Sequence, residues 1–364
     1  MKVGIVGLPN VGKSTLFNAL TKSKVLAANY PFATIDPNVG VVSVNDLRLD
    51  VLEKIYKPER VIPTSIEFID IAGLVQGASK GEGLGNQFLS HIREVDAICQ
   101  VVRCFDDENI THVEGNIDPL RDLEIIKIEL SLADLDIINR RLPRIEKKAQ
   151  MKVDDSYIEF SALTKVKQMI ENEGSLKDLD ITDEEYKMIK NFNLLSLKPT
   201  IYIANLPDYD LEKPHENLHF QALLKKADSE GILVVPVSAQ VEYEISDLNK
   251  EEQLEFLQAY GLTSSGLDEV IRKSYELLGL QTYFTAGVKE VRAWTFLKGM
   301  KAPQCAGIIH TDFERGFIRA ETISYKDLIE AGSPLAAKEK GKVRSEGKEY
   351  VVQDGDIILF RFNV

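Results

Sequence analysis

The residues with the clearest chemistry are Gly7-Leu-Pro-Asn-Val-Gly12-Lys13-Ser14, the spacing G-x-x-x-x-G-K-S. Two glycines, a lysine and a serine so arranged suit a polyphosphate. Gly7 and Gly12 let backbone N–H groups approach oxygens that a side chain would hold off. Asn10, Val11, Gly12 and Thr15 complete the wrap around Lys13. The Lys13 ammonium suits the β- and γ-phosphates, where it serves both binding and catalysis, and the Ser14 hydroxyl suits Mg²⁺. A chance glycine turn would match the bare pattern. The flanks argue otherwise: Met1–Val6 reads as an apolar strand and Thr15–Leu20 as a helix, whose N-terminus adds positive potential toward an anion.

Such a loop needs a carboxylate for the metal and a sensor for the γ-phosphate. Thr64-Ser-Ile-Glu-Phe-Ile-Asp70 alternates like a strand and runs into Ile-Ala-Gly73. Asp70 stands at a strand's carboxyl end, where a Walker-B carboxylate belongs, and the Gly73 N–H suits the γ-phosphate. Between the two motifs, Asn29–Asn38 is polar and Pro-containing, and Thr34 is its candidate to complete the Mg²⁺ shell. An ordinary surface loop is the competing reading. The stretch after Gly73 has Gly77, Gly81, Gly83 and Gly85 within nine positions, which predicts a mobile segment. Two further strand-like runs, Pro199–Ala204 and Ile232–Val237, end in Asn205-Leu206-Pro-Asp208 and in Ser238-Ala239. These suit a nucleotide base.

At 364 residues the chain has room for two or three domains. The formal charge of −13 excludes a simple polyanion binder but not a local basic patch. Cys99, Cys104 and Cys305 lack metal-like spacing and read as buried thiols in a reducing compartment. No stretch suits a membrane span, and the phosphate loop occupies the place of a signal peptide, so a cytoplasmic protein is expected.

Taken together, residues 7–14, 29–38, 70–79 and Leu280–Thr295 resemble the YchF / Obg-like ATPase subfamily of the Obg-related P-loop GTPases over essentially the whole chain. The resemblance implies an α/β fold. Its parts are a G-domain with a mostly parallel sheet over 1–280, a helical coiled-coil arm inserted at about 120–195, and a ubiquitin-like α+β TGS domain over 281–364. The residues support this division. The separation of Asp70 from Asn205 exceeds what one strand and its crossovers require. Ile128, Leu132, Leu135, Leu142 and Ile145 space like one helix face, with Pro143 a kink. Phe160, Leu163, Val166 and Ile170 predict a second helix, and 151–155 a break between the two. Two helices packed on the G-domain remain the alternative to a protruding hairpin. Runs at 291–296, 317–323 and 357–362 predict the strands of a binding module.

Two departures bear on mechanism. Leu74 follows Gly73 where Ras-like enzymes carry a water-orienting glutamine. The resemblance passes that role to His112, against the alternative of a solvated loop histidine. It also makes Asn10 a counterpart of an asparagine that binds K⁺ in related GTPases, against simple loop hydrogen bonding. The base motif has Leu206 for the usual lysine, and Asp208 where the subfamily carries glutamate. Adenine N1 is an acceptor and repels a carboxylate, whereas guanine offers donors. ATP is favoured and GTP stays open. The implied function is a slow nucleoside-triphosphate hydrolase acting as a switch on the ribosome and its RNA. The alternative is a nucleotide-gated RNA- or protein-binding module with incidental hydrolysis. Two basic groups suit RNA: Arg140, Arg141, Arg144, Lys147, Lys148 and Lys152 on the arm, against Glu146 alone, and Lys338, Lys340, Lys342 and Arg344 near the C-terminus. A solvated helix face competes with that reading. Oligomeric state is not legible.

Overall fold

The computed structural model describes residues 1–24, 38–73, 84–107 and 115–363. In chain order its elements begin β1 (Lys2–Val6), α1 (Lys13–Lys24), β2 (Val39–Ser43), α2 (Leu47–Tyr56), β3 (Arg60–Ile62), β4 (Ser65–Asp70), α3 (Leu84–Glu94) and β5 (Ala97–Arg103). There follow α4 (Pro119–Gln150), α5 (Ser156–Glu171), α6 (Asp183–Ile189), β6 (Thr200–Asn205), α7 (Leu218–Glu230), β7 (Leu233–Val237), α8 (Ala239–Ile245), α9 (Lys250–Ala259) and α10 (Gly266–Leu277). The remainder is β8 (Leu280–Ala286), β9 (Glu290–Leu297), α11 (Ala302–Ile309), α12 (Thr311–Arg315), β10 (Phe317–Ser324), α13 (Tyr325–Ala331), α14 (Pro334–Glu339), β11 (Arg344–Glu346) and β12 (Asp356–Phe362). Among the described residues no helix is long and apolar enough to cross a membrane.

The chain forms two compact units, 1–40 with 67–270, and 41–66 with 271–364. The sequence suggests a single cut near residue 280. The segment 41–66 instead groups with the C-terminal part, for two reasons. Leu49 and Leu52 of α2 share a core with Phe284, Val291 and Ile357, and β3 pairs in parallel with β9.

One six-stranded sheet has the strand order β2-β4-β1-β5-β6-β7. β1 pairs in parallel with β4 and β5, and β6 with β5 and β7. Every residue of the central strand β5 is buried, as a strand covered on both faces requires. This parallel arrangement brings the carboxyl ends of β1, β4, β6 and β7 to one edge, where α/β sheets bind ligands.

The inserted arm combines the two readings open from sequence. The start of α4 packs Leu123 against Val102, Cys104 and Phe220, on the sheet. Its far half packs Ile138 and Ile145 against Ala162, Leu163 and Val166 of α5 and Ile189 of α6, a core of its own. α4 continues through Pro143, which removes one i→i−4 donor without ending the helix. The expected stripe requires correction. Ile128 and Leu132 are exposed, and the buried residues include Leu123, Ile126, Leu130, Ala133, Ile138 and Ile145. Of the expected stripe, Ile145 is buried in the arm's core with Leu142 packed against it, whereas Ile128 and Leu132 face solvent.

The second unit is a six-stranded mixed sheet, β11-β10-β12-β8-β9-β3. β12 pairs in parallel with β8, and antiparallel partners flank that pair. One face packs on α11 through Tyr283, Phe296 and Phe360. The other carries the core that includes α2.

Candidate functional site

β1 ends at Val6, and residues 7–12 turn the chain into α1. The Leu16 N–H donates to Gly12 O at 3.0 Å, so the helix starts directly from the loop. Gly12 has φ +92°, and a Cβ there would lie 2.2 Å from Asn205 Nδ2. Glycine is therefore required for both conformation and space. A Cβ at Gly7 would meet Val101 O at 2.9 Å. Asn10 also takes a left-handed conformation, with φ 65°.

α1 sets Lys13, Ser14 and Thr15 on its first turn, at the rim of a cleft of about 750 Å³. Asp70 and Gly73 line the same cleft. Lys13 is buried and ion-pairs with Asp70. The Ser14 hydroxyl donates to Asp70 Oδ2 at 3.3 Å. A hydroxyl and a carboxylate converging so closely are the hard oxygen donors that suit Mg²⁺, which keeps its other positions for phosphate and water. Among the described residues no cluster of three or more His, Cys, Asp or Glu could hold a metal alone. The Asp70 N–H donates to Asn38 O at 2.9 Å, which fixes the carboxyl end of β4 against the start of β2. Thr34, Leu74 and His112 lie outside the described residues.

The loops that follow β6 and β7 meet the loop that follows β1 at Asn205. Buried Asn205 donates from Nδ2 to Val11 O at 2.9 Å, and its Oδ1 accepts from the Ala239 N–H at 2.9 Å. Asn205 thus positions the other two loops. Leu206 is buried, and its N–H donates to Val237 O at 2.8 Å. Ser238 is buried just ahead of α8, and Ala239 is the first residue of that helix. Asp208 is exposed on a 3₁₀ turn, Asp208–Asp210.

Sequence reasoning missed several residues of the cleft, among them His91 and Glu94 in the last turn of α3. Both follow a glycine-rich stretch, and no local motif marks them. The cysteine reading stands on burial. Cys99, Cys104 and Cys305 are buried and form no disulfide, and burial pushes the Cys104 and Cys305 thiols up to about 12.

The two basic groups are less bare than their spacing suggests. Arg140 pairs with Asp136 one turn back. Arg141 is held by Glu159 of α5, with Nε at 2.6 Å and Nη2 at 3.0 Å. The count of Glu146 as the only opposing charge is therefore corrected. Near the C-terminus, Lys342 pairs with Asp327 at 2.9 Å and Arg344 with Glu346 at 2.9 Å. Among the described residues Arg144, Lys147 and Lys148 form no ion pair.

With this geometry in hand, comparisons with known proteins place the chain. Residues 2–138 match the family model MMR_HSR1, described as a 50S ribosome-binding GTPase. Residues 280–363 match YchF-GTPase_C, described as a protein of unknown function. The chain is 56% identical over 364 residues to the Ribosome-binding ATPase YchF of Bacillus subtilis, covering 100% of each. It is also 56% identical to the protein of that name from Escherichia coli O157:H7, over 100% of this chain and 99% of the relative. The solved Schizosaccharomyces pombe YchF GTPase is 42% identical with a TM-score of 0.90, over 99% of this chain and 97% of that one.

Proposed function

The chain belongs to the YchF family, and on that premise we propose that it hydrolyses ATP with Mg²⁺ and serves as a nucleotide-controlled switch on the ribosome. The observation that carries the reading is the convergence of Lys13, Ser14 and Asp70 in one cleft at the carboxyl edge of a parallel sheet. Backbone donors of residues 10–15 hold the phosphates, and Lys13 stabilises charge that develops between the β- and γ-phosphates. Ser14 and Asp70, with Thr34, hold Mg²⁺, which neutralises phosphate charge when bound. Gly73 takes the γ-phosphate, and His112 orients the attacking water that Leu74 cannot. K⁺ beside Asn10 belongs to the same reading. The reading keeps a G-domain with its arm within 1–280 and a TGS domain over 281–364, with 41–66 grouped in the second compact unit, in a cytoplasmic protein.

ATP is favoured because the Leu206 N–H is already bonded to Val237 O. The Leu206 carbonyl suits the adenine 6-amino group, whereas guanine presents its O6 acceptor there. Asp208 supports a second reading, GTP, because a carboxylate suits guanine, and the Schizosaccharomyces pombe relative is named a GTPase while the bacterial ones are named ATPases. A titration with ATP and GTP decides between them. The expected outcome is tighter ATP binding, changed little by Asp208→Ala. Tighter GTP binding that Asp208→Ala abolishes would overturn the assignment.

A further inference from the structure

Away from the nucleotide cleft, the arm carries a second concavity of about 240 Å³, lined by Ile137, Arg140, Arg141, Arg144 and Phe192. This is below the roughly 300–1,000 Å³ of sites for whole small-molecule ligands. The first four residues stand at i, i+3, i+4 and i+7, one face of α4. Phe192 enters from the 3₁₀ turn Lys190–Phe192 after α6. Ile137 and Phe192 also pack on the arm's own core, so the apolar side of the concavity is anchored. The three guanidinium groups supply its charge. Arg140 and Arg141 both pair through Nε and Nη2, to Asp136 and Glu159 respectively, which leaves the Nη1 edge outside each pair. The Arg141 guanidinium lies 5.9 Å from the Phe192 ring centre, a cation–π arrangement. Arg144 forms no ion pair among the described residues and is exposed. Three positive and two negative groups leave one net positive charge beside an aromatic ring.

We infer that this concavity receives one unstacked nucleotide of single-stranded RNA, its base against Phe192 and its phosphate against Arg140, Arg141 and Arg144. Arginine forks match phosphate oxygens, and every base offers a face to an aromatic ring. An acidic peptide would use the guanidinium rim but gain nothing specific from the ring. The proposal deepens the ribosome reading and rests on it for the source of the RNA.

The test uses the full chain and a short labelled single-stranded RNA. Phe192→Leu keeps apolar volume and removes the ring. It is expected to weaken binding on the order of tenfold with the salt slope unchanged. Arg144→Gln is expected to flatten the slope of log K against log salt by about 0.7. ATP hydrolysis by both variants should match the parent. An abasic oligomer should bind the parent as weakly as the intact RNA binds Phe192→Leu, and that probe needs no variant to fold. The inference is overturned by parental RNA affinity in Phe192→Leu, by equal binding of the abasic oligomer, or by equally effective competition from polyglutamate or inorganic phosphate. Pelleting with ribosomes separates the two readings. If the parent does not pellet, the ribosome reading fails, and the oligonucleotide arms still decide the pocket. If both variants pellet like the parent, the pocket plays no part on the ribosome, and the inference fails while the ribosome reading stands.

Discussion

Lys13 faces Asp70 across the phosphate loop, and the two side chains depend on each other. Lys13→Ala removes the cation from the loop and leaves a largely buried carboxylate unpaired. Triphosphate turnover should fall by on the order of 10²-fold or more, with a cooperative unfolding transition retained. Unchanged hydrolysis in this variant would remove the phosphate-loop reading altogether. His112→Ala should lower turnover by about 10²–10⁴-fold and leave triphosphate affinity near the parent value. Single-turnover hydrolysis alongside equilibrium binding measures both, and parental hydrolysis would pass the water-orienting role to another group. The phosphate loop is legible in sequence because its residues are contiguous and the spacing itself carries the chemistry. Asn205 is legible only as part of a base motif. Its work in the structure is to join Val11 to Ala239, 194 residues before it and 34 after. No local pattern encodes such a bridge, and none encodes the approach of His91 and Glu94 to the cleft.

Strand positions follow the apolar runs closely, because parallel strands buried on both faces are continuous hydrophobic segments bounded by turn residues. β5 and β6 are examples. α4 shows where such patterning fails. Its apolar residues occupy two faces, and periodicity alone selected Ile128 and Leu132, which solvent reaches. The covered face is decided by what arrives from elsewhere in the chain: Val102 and Phe220 at one end, Leu163 and Ile189 at the other. Leu163 is fully buried in the arm's own core, which includes no residue of the nucleotide cleft. Leu163→Ala should therefore cost about 2–5 kcal/mol of arm stability. Hydrogen exchange should show weakened protection confined to α4, α5 and α6, with ATP turnover preserved. A fall in turnover in step with that protection would show that the arm and the cleft are coupled.

For the molecule as a whole, a charge of −13 opposes association with a polyanion through any arbitrary face. Local cations must carry such an association, and the structure narrows which ones are available. Reversing Arg140 or Arg141 would also break the pairs with Asp136 and Glu159, mixing stability with binding. Lys147→Glu with Lys148→Glu avoids this, since both are exposed and outside any ion pair among the described residues. For every phosphate that a removed lysine would have neutralised, the salt dependence of ribosome association should flatten by about 0.7–0.9 of slope. Sedimentation across a salt series reads this directly, and an unaltered slope would clear these two lysines of the interface. The unbroken course of α4 has a mechanical consequence. At about 1.5 Å per residue, its 32 residues span about 48 Å. Its root is seated against β5 through Leu123, just after the segment that contains His112. A tilt of about 5° at that root would swing the far end through about 4 Å, from 48 Å × tan 5°. The helix is thus geared so that a small tilt at its root becomes, at its tip, a step comparable to the distance between neighbouring Cα atoms.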